Sequence, residues 1–249
     1  LVLRKHIEGG RLQKIHQPGL DRIIILEIAA RDDTGAPSRK RLVCEIMGKH
    51  SNIILIDEAT GLIIDAIKRY SHAVSRHREA LPGRPYLPPP AQDKRNPLLL
   101  REEEFVETIQ DRPLESPLPD ALQAFLDGFS KPLAKELVYR AGLPEEMILD
   151  ECGEYELKKL WRALQELASP ALHEQFQPTL VLSQKKYLDF AAFDLAHLSG
   201  FTRKKGEMNK LVEEFYVHRE RSEKLEKERQ ELLKRVRKEV KRLQKKAAL

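Results

Sequence analysis

The residues best suited to chemistry in this chain are an acid–guanidine pair, Asp21-Arg22, a short run, Glu45-Ile46-Met47, and two basic pairs, Lys49-His50 and Lys68-Arg69. A guanidinium can stack on a base or grip a phosphate through two N–H groups. A neighbouring carboxylate can orient it, or accept from a base or a ribose hydroxyl. By spacing alone the plainer reading of Asp21-Arg22 is favoured, a turn aspartate followed by a solvated strand arginine. On a strand, Glu45 and Met47 face one way and Ile46 the other, so the three cannot do one job. The expectation is Ile46 in the core and Glu45 as the functional group, beside Arg22 on a neighbouring strand. Gly48 to Asn52 reads as a tight turn. A turn that offers Lys49 and His50 to phosphate and a purely structural turn fit it equally well.

Other chemistries find no pattern here. The eight His are scattered, and none lies near a Ser or Cys in a nucleophile motif. There is no phosphate-cradling glycine loop and no HExxH or CxxC spacing. His72 and His77 are five apart, wrong for one helical face. No catalytic residue, metal or cofactor is expected, and the chain is not read as an enzyme. Cys44 and Cys152 have no partners at metal spacing and read as reduced thiols, which favours an intracellular setting. No apolar run approaches the roughly 20 residues of a membrane helix. The candidate Ile23–Ile28 is interrupted by Glu27, so no membrane partner is expected.

The elements that must position these residues are legible in the periodicity. Leu1 to Glu8 reads as the end of a helix, stopped by Gly9-Gly10. Strand-like runs follow at Arg11–His16, Arg22–Ile28, Arg41–Met47, Ile53–Ile56 and Leu62–Ile67, separated by turn residues too few for parallel crossovers. An antiparallel meander is therefore expected. Six prolines between Leu81 and Pro97 make that stretch an extended connector. From Pro117 the period becomes helical, with Leu118, Leu122, Phe125 and Leu126 on one face. Asp127 to Ser130 breaks the pattern, and Ser130 caps a second helix with Leu133, Ala134, Leu137 and Val138 inward. Pro144 to Ala168 reads as one or two further helices, with Leu157, Leu160, Trp161 and Leu164 inward. Phe176 to Phe193 returns to strand-like alternation and is expected to rejoin the first sheet. The turn Asp127–Ser130 has only Lys131 and Lys135 close by, opposed by Asp127, which favours a structural or docking module over a phosphate site.

Charge is concentrated at one end. Arg219 to Lys246 holds thirteen Lys or Arg against six Glu. That excess of seven, set against a chain total of +5, leaves the remainder at about minus two. Met208 to Leu249 contains no Gly or Pro. Steps of four and three from Leu211 give ten positions, six of them apolar, too few for a strong homodimeric zipper. A solvated arm pairing with a returning helix fits better, and an excess of seven cations is more than a mixed-charge solvated face requires, which suits a polyanionic partner. Leu1 is not Met and lies inside an amphipathic pattern. The chain thus reads as a fragment lacking residues at both ends, and no signal peptide can be argued either way.

Several runs, in order, resemble the NFACT family, the group of bacterial RqcH and fibronectin-binding proteins and their eukaryotic relative NEMF. They are Leu3 to Arg11 with Leu20-Asp21-Arg22-Ile23, then Glu45 to Leu55, then Ile64 to Arg69, then Leu81-Pro82-Gly83 with Tyr86 and the proline run. The helices around Gly128 and Ala141-Gly142 resemble the family's helix-hairpin-helix module, and the basic arm resembles the first half of its middle coiled coil. The family's opening segment, with its short acidic-glycine motif, has no counterpart, nor does anything after the first coiled-coil helix.

The resemblance implies an α+β chain. Residues 1–98 would form an antiparallel, β-rich NFACT-N domain incomplete at its start, and 99–170 a helix-hairpin-helix domain. Residues 171–207 would be a strand-like return and connector, and 208–249 the first long helix of a coiled-coil arm. It also implies a cytoplasmic, ribosome-associated quality-control factor. Such a factor binds the large ribosomal subunit with its peptidyl-tRNA nascent chain and recruits charged tRNA, tRNA-Ala in bacteria, for template-independent C-terminal alanine tails. Ribosomal RNA makes the peptide bond, so the role is recruitment rather than catalysis. By motif match the implied tRNA contacts are Asp21, Arg22, Glu45, Ile46 and Met47. Lys49, His50, Lys68 and Arg69 are further phosphate candidates, and Arg235, Lys238, Lys241 and Arg242 are the ribosome-binding cations of the arm. Two alternatives stand beside this reading. One is a surface adhesin with fibronectin as partner. The other is a DNA-binding helix-hairpin-helix repair protein, which would lack a visible zinc finger and a catalytic N-terminal proline.

Overall fold

The computed structural model describes residues 1–247 except Val74, Ala91, Glu174 and Lys185. The chain divides into two compact units, Leu1–Asn96 with Phe125–Gly128, and Pro97–Ala124 with the residues from Phe129 onward.

The first unit opens with a short helix, α1 (Val2–Ile7), closed at Glu8 before Gly9 takes a left-handed φ of +73°. Five strands follow: β1 (Arg11–His16), β2 (Ile23–Arg31), β3 (Pro37–Glu45), β4 (Asn52–Asp57) and β5 (Ile63–Ala66). They pair in chain order, all antiparallel, the meander that the short turns require. At the β2–β3 turn the Asp32 carboxylate accepts from the backbone N–H of Thr34 (2.8 Å) and Ala36 (2.9 Å) and from the Thr34 hydroxyl (2.6 Å). Those bonds hold its pKa below the ordinary carboxylate value. One face of the sheet carries the core: Ile23, Val43, Ile54, Ile56 and Ile63, with Ala66 and Ala80, and with Met47, Tyr70 and Tyr86 packed against it. The described residues of the proline-rich connector form no helix or strand, and its start lies along β5 through Ile63 N–H to Arg84 O (2.8 Å) and Gly83 N–H to Ile63 O (2.8 Å).

The second unit holds α2 (Glu102–Gln110), most of α3 (Leu118–Phe125), α4 (Lys131–Arg140) and α5 (Glu154–Leu172). Apolar faces at helical spacing build its core: Leu118 and Leu122, Leu137 and Val138, and Leu157, Leu160 and Leu164 are all buried. Ser130 caps α4 by accepting from Leu133 N–H (3.4 Å). Trp161 is half-buried rather than sealed, its ring 5.6 Å from that of Phe105 on α2. Helix α2 went unread in the sequence, although Glu102 to Glu104 suits a helix N-terminus and Phe105 and Ile109 are buried one turn apart.

Three strands, β6 (Thr179–Ser183), β7 (Lys186–Ala191) and β8 (Thr202–Lys205), make a separate antiparallel sheet in the order β7-β6-β8. This corrects the expectation that the alternating run 176–193 rejoins the first sheet. The run folds back on itself as a hairpin, and β8 takes the other edge of β6, so the backbone groups of β6 are paired locally. The last helix, α6 (Met208–Ala247), rests its start on this sheet: Phe215 lies 4.9 Å from Phe190, and Glu214 accepts from Tyr187 (2.8 Å) and Lys204 (2.6 Å). From Arg219 to Gln244 every residue except Leu233 is exposed. Among the described residues no helix is long and apolar enough to cross a membrane.

Candidate nucleic-acid interface

Antiparallel pairing of consecutive strands puts alternate loops at the same end of a sheet. Register therefore decides which candidate residues meet. Ile23 is opposite Glu45, Glu45 opposite Asn52, and Asn52 brackets Lys68 through its side-chain amide (Lys68 N–H to Oδ1 2.9 Å, Nδ2 to Lys68 O 2.9 Å). Asp21, Arg22, Ile46, Met47, Lys49, His50, Lys68 and Arg69 thus collect at one end of the five-stranded sheet. The arm residues Arg235, Lys238, Lys241 and Arg242 belong to the other unit.

Asp21 and Arg22 are both exposed. The carboxylate does not grip the guanidinium. It accepts instead from the backbone N–H of Arg22 (3.0 Å), while Gln17 donates to the Asp21 carbonyl (2.6 Å). Asp21 therefore shapes the backbone, and among the described residues the Arg22 side chain has no acid paired to it. The carbonyl of Arg22 accepts from Ile46 N–H (2.8 Å), which extends the β2–β3 ladder by one step and sets the two residues side by side.

The alternation expected for Glu45-Ile46-Met47 holds, but with its faces reversed. Ile46 is 53% exposed, and the Glu45 side chain is fully buried. Parity explains it: Val43, Glu45 and Met47 lie on the core side of β3 and its exit, and Ile46 falls on the other. Glu45 is consequently not available to touch RNA, nor does it stand beside the Arg22 side chain. Its carboxylate receives two N–H groups from Arg78 (2.6 Å each) and the Tyr86 hydroxyl (3.0 Å). Arg78 also donates to the Leu87 carbonyl (2.9 Å) and lies over the Tyr70 ring. Burial pulls the Arg78 pKa down, but the hydrogen bond and charge of Glu45 more than offset it, so the net shift is upward. Burial, with Glu45 adding to it, pushes the Tyr86 phenol above its ordinary value. Sequence reasoning missed Arg78 and Tyr86. The signal was a carboxylate on the same face as Val43, which needs a cation from elsewhere in the chain.

The loop after Met47 is a short 3-10 turn, Gly48–His50, entered with a Gly48 φ of +57° and closed by Met47 N–H to the Ser51 hydroxyl (2.9 Å). Lys49 and His50 are exposed on it. The Lys68 ammonium caps the Lys49 carbonyl (2.9 Å), which steadies the loop and leaves its charge at the surface. Arg69 is committed differently, with a two-pronged bond to Asp65 (2.8 and 3.0 Å) that holds the Asp65 pKa below its usual value. On the arm, Arg235, Lys238, Lys241 and Arg242 are all exposed, and Arg242 pairs with Glu239 at 3.1 Å. Three surface cations beside an exposed isoleucine, with the nearby acids turned inward or occupied, can bind a phosphate backbone and offer a ribose or base an apolar contact.

The family model described as NFACT N-terminal and middle domains matches residues 1–249. The chain belongs to the NFACT family. A relative named Rqc2 homolog RqcH, from Bacillus subtilis (strain 168), is 36% identical over 233 residues, which is 93% of this chain and 38% of that protein. A protein of the same name from Streptococcus suis (strain 05ZYH33) is 35% identical over 137 residues, 55% of this chain and 24% of the relative. The NFACT chain thus spans well under half the length of these curated relatives. Among solved structures, the fibrinogen binding protein from Staphylococcus aureus matches with a TM-score of 0.70 at 29% identity, covering 86% of this chain and 73% of that one. The N-terminal part of the fibronectin/fibrinogen-binding protein from Streptococcus suis matches with a TM-score of 0.58, also at 29% identity, covering 86% and 70%.

Proposed function

We propose that this NFACT chain is the tRNA-contacting and ribosome-docking part of a ribosome-associated quality-control factor. The single observation that carries the reading is the exposure of Asp21 and Arg22 at a sheet end where Lys49 and Lys68 also present charge. The names of the relatives supply the context, and the physical site supplies the ligand class. In this reading Arg22 grips a tRNA phosphate or stacks on a base, Ile46 packs against a ribose or base, and Glu45 works from behind. The exposed cations of α6 hold ribosomal RNA. The protein recruits charged tRNA, tRNA-Ala for alanine tailing, to the large subunit carrying peptidyl-tRNA, and leaves bond formation to the ribosome. It acts in the cytoplasm and is not itself an enzyme. The helices flanking Gly128 serve as the helix-hairpin-helix module, and α6 as the first strand of a coiled-coil arm.

The test is to recover the complete protein from cells after ribosome stalling and sequence the RNA that accompanies it. The reading predicts large-subunit RNA together with tRNA for the wild type, and large-subunit RNA without tRNA for Asp21→Ala/Arg22→Ala. Recovery of neither RNA from the wild type would refute it. A second reading, an adhesin for fibronectin or fibrinogen, is favoured only by the names of the two structural neighbours. Surface labelling of intact cells separates the two, since an adhesin must be labelled and a ribosome-bound factor must not.

A further inference from the structure

The segment Ser75–Glu79 lies outside the interface described above, yet the most deeply set ion pair of the first unit ties it to the sheet. Arg78 reaches the sealed carboxylate of Glu45 at the exit of β3 with two bonds of 2.6 Å and the Leu87 carbonyl with a third of 2.9 Å. Tyr86 adds a fourth, to Glu45, at 3.0 Å. The chain leaves β5 through Lys68 to Tyr70 and returns at Ala80, whose N–H donates to the Tyr70 carbonyl (2.9 Å). Ser75–Glu79 is therefore anchored at the sheet end where Arg22 and the Gly48–His50 turn sit. A buried charge pair costs desolvation on both sides and adds little net stability over apolar residues of similar size. What it does supply is a fixed geometry for the segment that carries the arginine. On that segment Arg76 and His77 are exposed, and neither has a hydrogen-bond or ion-pair partner among the described residues. The nearest acid in sequence, Glu79, is taken by Arg84 (3.2 Å) and by His72 N–H (3.2 Å).

We propose that Arg76 and His77 form a second part of the RNA-contact surface, taking tRNA backbone phosphates, and that the Arg78–Glu45 clamp is the device that holds them beside Arg22. The proposal rests on the tRNA reading above. It makes Glu45 and Arg78 positioning residues and gives the buried glutamate a reason to exist. Cations spread over three loops, with Glu45 buried against Arg78, Asp65 and Glu79 held in ion pairs, and Asp21 the one acid left exposed among the residues named here, fit a continuous polyanion better than a peptide with isolated charges.

The experiment titrates fluorescently labelled unfractionated tRNA against the complete protein at several salt concentrations. The variants are Arg76→Gln/His77→Gln, Arg78→Met and Asp21→Ala/Arg22→Ala. Arg76→Gln/His77→Gln should bind about 3- to 10-fold more weakly at moderate salt, with the salt slope reduced by about one and amide exchange of the β3 and β4 strands unchanged. Arg78→Met should lose at least as much affinity and also speed exchange at Arg76 to Ala80, which a residue acting by contact alone would not do. If Arg76→Gln/His77→Gln binds tRNA like the wild type while Asp21→Ala/Arg22→Ala does not, this proposal falls and the tRNA reading stands. If Asp21→Ala/Arg22→Ala also binds like the wild type, both fall. Loss of binding to poly-glutamate with tRNA affinity intact would overturn the proposal in favour of an acidic protein partner.

Discussion

Removing the Glu45 carboxylate should open the first unit from one sheet end. In Glu45→Ala, Arg78 keeps one carbonyl partner but loses both of its charged bonds, and the Tyr86 hydroxyl loses its acceptor. The Glu45 side chain is fully buried and that of Arg78 is 10% exposed, so water cannot take over these bonds without local opening. Leaving one member of a buried pair uncompensated costs about 3–5 kcal/mol, whereas exchanging both for apolar residues of similar volume is about neutral. Glu45→Ala should therefore destabilise the first unit by roughly that amount, and Glu45→Leu/Arg78→Met should recover most of it. The readout must come from this unit. The single tryptophan, Trp161, lies in the other one, so its fluorescence does not report directly on these strands. Amide exchange of β3 and β4, followed by mass spectrometry, reports on the right strands. Protection in Glu45→Ala within about 0.5 kcal/mol of the wild type, the range of a neutral surface substitution, would refute the argument. A double variant as unstable as the single one would refute it equally.

Three further outcomes follow from the same geometry. Ile46→Ala should leave β3 and β4 protection within about 0.5 kcal/mol, as for an exposed side chain, and weaken tRNA binding, while Val43→Ala should cost about 1–3 kcal/mol. The reverse order, measured by exchange and tRNA titration, would restore the expectation that Ile46 is core. In the second unit Glu136 is fully buried, and its carboxyl sits at about 2: burial raises it, but bonds from His197 and Arg140 lower it further. A depressed carboxyl stabilises above its ordinary value of 4.5 and loses that effect as pH falls towards 2. Glu136→Gln should thus be less stable than the wild type by at most about 3 kcal/mol at pH 7, with the gap closing between about pH 4.5 and 2 in urea titrations read by Trp161 fluorescence. A gap independent of pH would contradict this. Changing Arg235, Lys238, Lys241 and Arg242 together to Gln should lower the salt slope of large-subunit binding by about three, with melting unchanged. An unaltered slope would remove the arm from the interface.

How far the sequence reached depends on whether the information was local. The number and order of strands in the meander were legible because turns such as Asp32–Gly35 carry their own hydrogen-bond chemistry and the strands alternate, although β2 runs on to Arg31 and β3 starts at Pro37, beyond the expected Ile28 and Arg41. The Ser130 cap of α4 and the inner faces of α3 to α5, Trp161 apart, were legible for the same reason. The face of β3 at its exit was not, because hydrophobicity argued for Ile46 inside. The partner that admits Glu45 instead lies 33 residues downstream in an irregular segment. Asp21 offered two plausible roles, and the one adopted, holding the Arg22 backbone, depends on a turn geometry that composition does not encode. The second sheet was misplaced because alternation identifies a strand without identifying its neighbour. The basic stripe of α6 needed no tertiary information, since its excess charge and lack of Gly or Pro are properties of the run itself.

The most direct trial of the interface is the affinity of the complete protein for labelled tRNA with Asp21→Ala/Arg22→Ala introduced, with thermal melting followed in parallel. Loss of a guanidinium that grips a phosphate or stacks on a base should weaken binding at least about tenfold at physiological salt. Both side chains are exposed, so the melting midpoint should stay close to that of the wild type. Equal affinity in a variant that remains folded would contradict the account at its centre.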